Sequence, residues 1–356
     1  MDVWTDAMLR GDFEAAWKIS DRVLARRVRD GERSHHLPRH WQWLWDGRDI
    51  AGLRVMVHCY HGLGDTLQFV RLLPLLRARC AAITLWLQPA LIGLLRSLEG
   101  VDCIEPLHDG APESTRDCDV ELMELPHMLR LTPERIPARV PYVGTEFPRA
   151  QRGSRRPLRI GLCWRSGDWN DARAVPESAL PPLARVPGVQ WFSLQYPARK
   201  PPFAMRELAC RDLYELARRM CTLDLVISVD TLTAHLSGAL GLPTWTLLPA
   251  ECDWRWMRGR NDSPWYPTMR LVRQARAGEW TDVVEQVRST LLPETLGRSG
   301  LQSVASEAAI HGKEAPWPRD DGAQAPECTR QYMGMPSSAG ARHAERSSFA
   351  NGRERA

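Results

Sequence analysis

Lysine is almost missing from this chain: Lys18, Lys200 and Lys313 are the whole supply, and arginine provides the rest of the 47 basic residues. Arginine suits bidentate binding of phosphate or carboxylate, although a coding bias toward arginine accounts equally well for most of these positions. Close cysteine pairs are also lacking. The nine cysteines are scattered with no Cys-x-x-Cys spacing, and an odd count without a framework fits reduced thiols in a cytosol. Cys59 and Cys163 fall in predicted strands, where a thiol packs as a small hydrophobe. No apolar run is long enough to cross a bilayer, since the densest region, 81–98, is broken by Gln88, Pro89 and Arg96. The first residues carry acids and no apolar core, which is unlike a signal peptide. A cytoplasmic protein is expected, with peripheral association at the inner face of a membrane left open. A large charge of one sign is absent too. The net charge of +4 and the lack of an aromatic–basic motif give no reason to expect a nucleic-acid partner.

Several catalytic signatures are missing. The Gly-rich turn at 62–65 lacks the third glycine and the later acid of a dinucleotide fingerprint. No phosphate-binding loop ending in Gly-Lys-Ser/Thr occurs, nor a nucleophile elbow or a zinc-binding helix motif. His35, His36 and His40 lie close together, but nothing nearby completes a coordination set, so no metal site is expected.

What is present has the balance of a soluble globular protein: 356 residues, 44% hydrophobic and 25% charged. The length suggests two domains with additions. Residues 1–45 read as a pair of short helices followed by a polar and aromatic linker. Gly11-Asp12 separates the helices, and Phe13, Ala16, Trp17, Val23 and Leu24 form a stripe at helical spacing. Such a pair cannot bury its own face and would have to pack on the rest of the chain. Residues 50–145 alternate strand and helix: Leu53–Tyr60, a helix from Leu67 to Ala78 interrupted at Pro74, Ile83–Leu87, a helix from Pro89, Val101–Ile104 and Asp119–Leu122. An Arg-rich linker over 146–157 leads to a second α/β region at 158–295. Its strands are expected at Arg159–Trp164, Val189–Leu194, Leu225–Val229, Thr244–Leu248 and Met269–Val272. Helices are expected at Glu177–Arg185, Arg211–Cys221, Thr231–Leu240 and Trp280–Leu291. Residues 296–356 lose aliphatic spacing and are expected to be disordered. The alternation predicts parallel sheets flanked by helices.

Ligands of such sheets collect at the carboxyl ends of strands, beside helix N-termini whose N–H groups attract anions. Three loops lie at such places. In the first, Gly62 and Gly64 let backbone approach a ligand, and Asp65 sits at or just inside the next helix. A carboxylate there can orient a substrate hydroxyl or accept its proton; an ordinary capping Asp after a Gly turn is the plainer alternative. The second, Trp164 to Pro176, offers Ser166, Gly167, Asn170 and Arg173 as phosphate donors, or is an ordinary surface loop. The third is Asp230-Thr231 followed by His235, with Thr231 and His235 on one helical face. Asp and Thr cap many helices, and a lone His is commonly a satisfied core residue. A fourth stretch, Asp253–Pro267, sets Trp254, Trp256, Trp265 and Tyr266 among arginines. It could line a sugar or base site or fill a seam between domains.

Four segments in this order, HGLGDTLQFVRLLPLL (61–76), GLCWRSGDWNDARAVP (161–176), LDLVISVDTLTAHLSGALGLP (223–243) and DWRWMRGRNDSPWYPTMRLVRQ (253–274), resemble glycosyltransferase family 9. This is the family of the ADP-heptose:lipopolysaccharide heptosyltransferases. The likeness spans about residues 40–293 and is nearest to the branch fused to tetratricopeptide repeats, of which the N-terminal helical pair looks like a remnant. It implies a GT-B-like α/β fold, two Rossmann-like domains facing across a cleft. It also implies inverting, metal-independent transfer of a heptose-like sugar from a nucleotide-diphosphate donor to a glycan, lipid or protein acceptor, with no cofactor. On this resemblance Asp65 corresponds to the catalytic base. Gly62, Gly64, Ser166, Arg173, Asp230, Thr231 and His235 fall on the donor and phosphate side. Arg173 stands where the heptosyltransferases usually carry Lys, and His61 where the repeat-fused branch more often has Gln. Two other readings remain: an inactive binding or scaffold protein on the same fold, and a sugar-nucleotide epimerase, which would need a second acid–base residue.

Overall fold

The computed structural model describes residues 2–149, 157–167 and 171–296, with side chains as far as 292. Asn170, most of the expected 146–157 linker and residues 297–356 of the expected tail lie outside the described residues.

Two helices open the chain, α1 (Val3–Leu9) and α2 (Phe13–Arg29), each started by an Asp whose carboxylate accepts from a first-turn N–H. Phe13, Ala16 and Trp17 are buried. Val23 and Leu24 are only half-buried, so the stripe is used at its N-terminal end.

The first sheet is built from β1 (Arg54–His58), β2 (Ala82–Leu87), β3 (Cys103–Pro106) and β4 (Cys118–Glu121) in the order β3-β2-β1-β4, all parallel. Between β1 and β2 the chain forms α3 (Leu63–Phe69), a 3-10 turn, and α4 (Leu73–Arg77). The break expected at Pro74 is real, because proline cannot donate back into the preceding turn. The helix itself begins earlier than expected, at Leu63, which makes Asp65 a first-turn residue. α5 (Pro89–Leu95) follows β2, and α6 (Leu125–Met128) follows β4.

The second sheet holds β5 (Leu158–Cys163), β6 (Val189–Ser193), β7 (Arg206–Glu207), β8 (Leu225–Val229), β9 (Thr244–Leu248) and β10 (Met269–Arg273). Their order, β10-β9-β8-β5-β6-β7, is also parallel throughout. β8 and β9 are buried at every position, as unbroken apolar runs require. α7 (Leu213–Met220), α8 (Leu232–Ala239) and α9 (Trp280–Leu296) are the flanking helices. Glu177–Arg185 differs from expectation. It forms two 3-10 turns, Glu177–Ala179 and Pro181–Arg185, since Pro181 and Pro182 supply no N–H for a longer helix.

The α/β class and the parallel sheets are thus those expected. In each sheet the strand order reverses once, between β1 and β4 in the first and between β5 and β8 in the second. The crevice at such a reversal is where open parallel sheets bind ligands. One hydrophobic core runs across both sheets, from Phe13 and Trp17 through Phe69 and Leu72 to Trp265 and Tyr266. A second lies against the other sheet face, under Trp245, Trp280 and Val284. Among the described residues no helix is long and apolar enough to cross a membrane.

Candidate active site

α3 and α8 face each other, and their contact point is Gly64. A Cβ on Gly64 would stand 2.9 Å from Cδ2 of His235 and 3.5 Å from Cα of Leu232. Glycine is required here by close approach, not by an unusual φ. Gly62 is the N-cap of α3, and its N–H donates to Oδ2 of Asp65 at 3.0 Å. The N-cap itself is thus Gly62, and Asp65 caps the helix from the N3 position instead. The second carboxylate oxygen does something else: Oδ1 accepts from Nη2 of Arg255, 2.7 Å away, from the segment that follows β9.

Arg255 was not visible from sequence as a site residue. It is 9% exposed, and its Nη1 donates to Oδ1 of Asp253 at 2.7 Å. Burial opposes its charge, but Asp253 and Asp65 outweigh burial and hold the guanidinium firmly protonated. The backbone N–H of Arg255 is also bound to Asp253 Oδ1, at 3.0 Å, so the Asp253 cap and the guanidinium share one carboxylate.

At the reversal of the second sheet, Asp230 directly follows β8 and Thr231 is the N-cap of α8, but the Thr231 hydroxyl makes no capping hydrogen bond. The structural role proposed for this side chain is not used. Asp230 is buried, with Oδ2 3.3 Å from Nη1 of Arg173 and Oδ1 3.6 Å from Nε2 of His235. Burial alone would raise its carboxyl; the contact with His235 and the charge of Arg173 overcome that and bring it to about 2. His235 is itself buried: Nδ1 lies 3.0 Å from the Tyr266 hydroxyl, and the ring stacks on Trp256 at 5.5 Å. Both ring nitrogens face protein groups, which makes His235 a brace for Asp230. Arg173 belongs to the turn Asp171–Arg173 after β5. Ser166, on the same loop, donates from Oγ to the Gly167 carbonyl at 3.4 Å.

The aromatic stretch fills the seam. Phe69 of α3 stacks on Trp254 at 6.3 Å and meets Trp265 edge-on at 5.4 Å, and Trp265 Nε1 donates to the Arg255 carbonyl at 3.0 Å. Trp256, Trp265 and Tyr266 are completely buried, each worth about 1.5–3 kcal/mol of apolar burial. Arg71, also buried, donates to the Trp265 carbonyl and lies over the rings of Tyr142 and Tyr266. These contacts tie the Arg255 segment to the first sheet.

A carboxylate that sequence reading also missed stands at the first reversal. Glu121 ends β4, 1% exposed, with Oε2 accepting from the Met123 N–H at 2.6 Å and lying 3.7 Å from Nε2 of His61. Burial pushes its carboxyl up to about 8, with the charges of Glu124 and Asp65 adding and the N–H groups of Met123 and Tyr60 opposing. Burial also lowers His61, which stands between Asp65 and Arg255 electrostatically. The only sequence clue to Glu121 was its place at the end of a predicted strand. Among the described residues no group of three or more His, Cys, Asp or Glu is arranged to hold a metal ion.

No family model matches the chain. It is 27% identical over 286 residues to Protein FlbA of Caulobacter vibrioides, covering 69% of this chain and 48% of that protein. The chain therefore spans about half the length of the curated relative it matches. Among solved structures it is similar to a glycosyl transferase family 9 protein from Veillonella parvula, at 12% identity and TM-score 0.48, over 72% of this chain and 99% of that one. It is also similar to TibC, a dodecameric iron-containing heptosyltransferase solved with ADP-D-beta-D-heptose, at 11% identity and TM-score 0.48, over 72% and 78%. A third is the E. coli ADP-heptose LPS heptosyltransferase II, at 15% identity and TM-score 0.46, over 69% and 100%.

Proposed function

We propose that this protein is an inverting glycosyltransferase of the GT-B kind, using a nucleotide-diphosphate sugar, heptose-like, and a glycan, lipid or protein acceptor. The observation that carries the reading is the meeting of two strand-order reversals. Asp65 comes from one sheet, and Arg173, Asp230 and Thr231 from the other, with α3 against α8 between them. On this reading the acceptor hydroxyl oxygen attacks the anomeric carbon and its proton passes to Asp65. The bond from that carbon to the diphosphate oxygen breaks, and the electron pair leaves with the nucleotide. The N–H groups at the start of α8 and the Arg173 guanidinium stabilise charge that grows on the leaving group, so they help the transition state more than the ground state. Asp230 holds Arg173, and His235 holds Asp230. The step needs no resident metal or cofactor. A cytoplasmic location, with the acceptor presented in solution or at the inner membrane face, goes with it. The α1–α2 pair is read as what remains of a tetratricopeptide array.

The decisive variant is Asp65→Ala, assayed for sugar transfer with donor binding measured alongside. Loss of transfer by about 10²–10⁴-fold with donor still bound is expected for a general base. Wild-type transfer by this variant would remove Asp65 from the role. One observation favours a second reading: Glu121, at the end of β4 and 3.7 Å from His61, is a candidate for the further acid–base group that a sugar-nucleotide epimerase needs. An epimerase would convert the sugar nucleotide with no acceptor present, which a transferase does not.

A further inference from the structure

We propose that Arg255 is a diphosphate-binding residue, so that the donor and the Asp65 carboxylate, which it pairs with at 2.7 Å, compete for one guanidinium. This rests on the transferase reading and concerns the same site. Arg255 spends Nη2 on Asp65 and Nη1 on Asp253, whereas its Nε is buried and has no partner among the described residues. An unused N–H on a buried cation is costly, so the guanidinium is under-satisfied by its two carboxylates. The next residue, Trp256, stacks on His235 in the first turn of α8. The guanidinium is thus fixed beside the helix start that would take the phosphates.

Charge makes the exchange necessary. Three carboxylates, Asp65, Asp230 and Asp253, face two guanidiniums, Arg173 and Arg255. A diphosphate competes with these carboxylates for the two guanidiniums, so an existing ion pair has to yield. The Arg173–Asp230 pair is poorly suited to yield, because the Asp230 side chain is 6% exposed and would be stranded without water. Asp65, at 28%, can be rehydrated when released. Asp253 stays as the tether through Nη1. Moving Nη2 from Asp65 to a phosphate leaves the carboxylate free to face the acceptor hydroxyl. Donor arrival thereby prepares the base, and donor binds before acceptor.

The test is calorimetric titration of ADP, UDP and GDP into the full-length protein, carrying the tightest of them to Asp65→Asn, Arg255→Gln and the double variant. Asn keeps the shape of Asp65 and removes the competing charge, so D65N is expected to bind the diphosphate about threefold or more tightly than wild type. R255Q is expected to lose about tenfold or more, and the double variant to bind no better than R255Q. Unchanged or weaker binding by D65N overturns the inference: Arg255 and Asp65 are then a structural ion pair, and the transferase reading stands on the wild-type binding. No binding of any diphosphate by the wild type overturns both. If R255Q does not fold, the D65N titration alone decides.

Discussion

Glu121 carries the site's clearest dependence on pH. Its carboxyl titrates near 8 in the folded chain against an ordinary value of 4.5, so between those limits the native state holds a proton that the unfolded chain has lost. Its contribution to stability is complete below the ordinary value and disappears as pH rises through about 8. Glu121→Gln keeps the shape and cannot ionise. Calorimetry is expected to show Tm raised by at least about 2 °C over wild type at high pH and little changed in mild acid. An equal difference at both pH values would mean that Glu121 is not the titrating group. Residues of this kind are hard to find in a sequence. Glu121 reads as any strand-end acid until β4 is paired to β1, and Arg255 reads as one arginine among many. Its partner Asp65 is 190 positions away. Asp65, Asp230 and Thr231 stand out as candidates because each lies in the turn or helix start after a run that reads as a strand.

The elements show where local rules suffice. β8 and β9 fall where the two apolar runs around Gly241-Leu242-Pro243 put them. The Glu177–Arg185 helix failed on backbone chemistry that was present in the sequence, the Pro181-Pro182 pair. α8 is small-residue-rich for a tertiary reason that no local rule contains. A Cβ on Gly238 would lie 2.4–2.8 Å from three ring carbons of Tyr266, and Tyr266 carries the hydrogen bond to His235. Gly238→Ala is therefore expected to destabilise the fold by about 1–3 kcal/mol through overpacking. It should also weaken nucleotide binding, because displacing Tyr266 loosens His235 and Asp230. Urea unfolding checks the first effect and nucleotide titration the second; a neutral result in both would show that Tyr266 moves aside freely.

At the scale of the whole molecule, two parallel sheets meet with their reversal points together, and the N-terminal helices strap the junction. Trp4 packs edge-on against Trp254 at 5.7 Å, Asp6 pairs with Arg258 at 3.0 Å, and α2 reaches the first sheet through Trp17, whose Nε1 donates to the Leu131 carbonyl at 2.7 Å. The need of that helical pair for an outside surface was readable from its one-sided stripe; the surface itself was not, since it is assembled from 127–131 and 254–258. The aromatic stretch at 253–267 fills the seam, and within it Arg255 reaches Asp65 while Trp256 stacks on His235.

If the junction between the two sheets is the active site, it binds a sugar activated by a nucleoside diphosphate. Thermal unfolding in the presence of ADP-, UDP-, GDP- and CMP-sugars tests it most directly. At about 100 times its dissociation constant a true donor adds roughly 2.7 kcal/mol of stability. Such a rise is expected with at least one of the three diphosphate sugars and none with the monophosphate-linked CMP-sugar. No rise with any diphosphate sugar would contradict it.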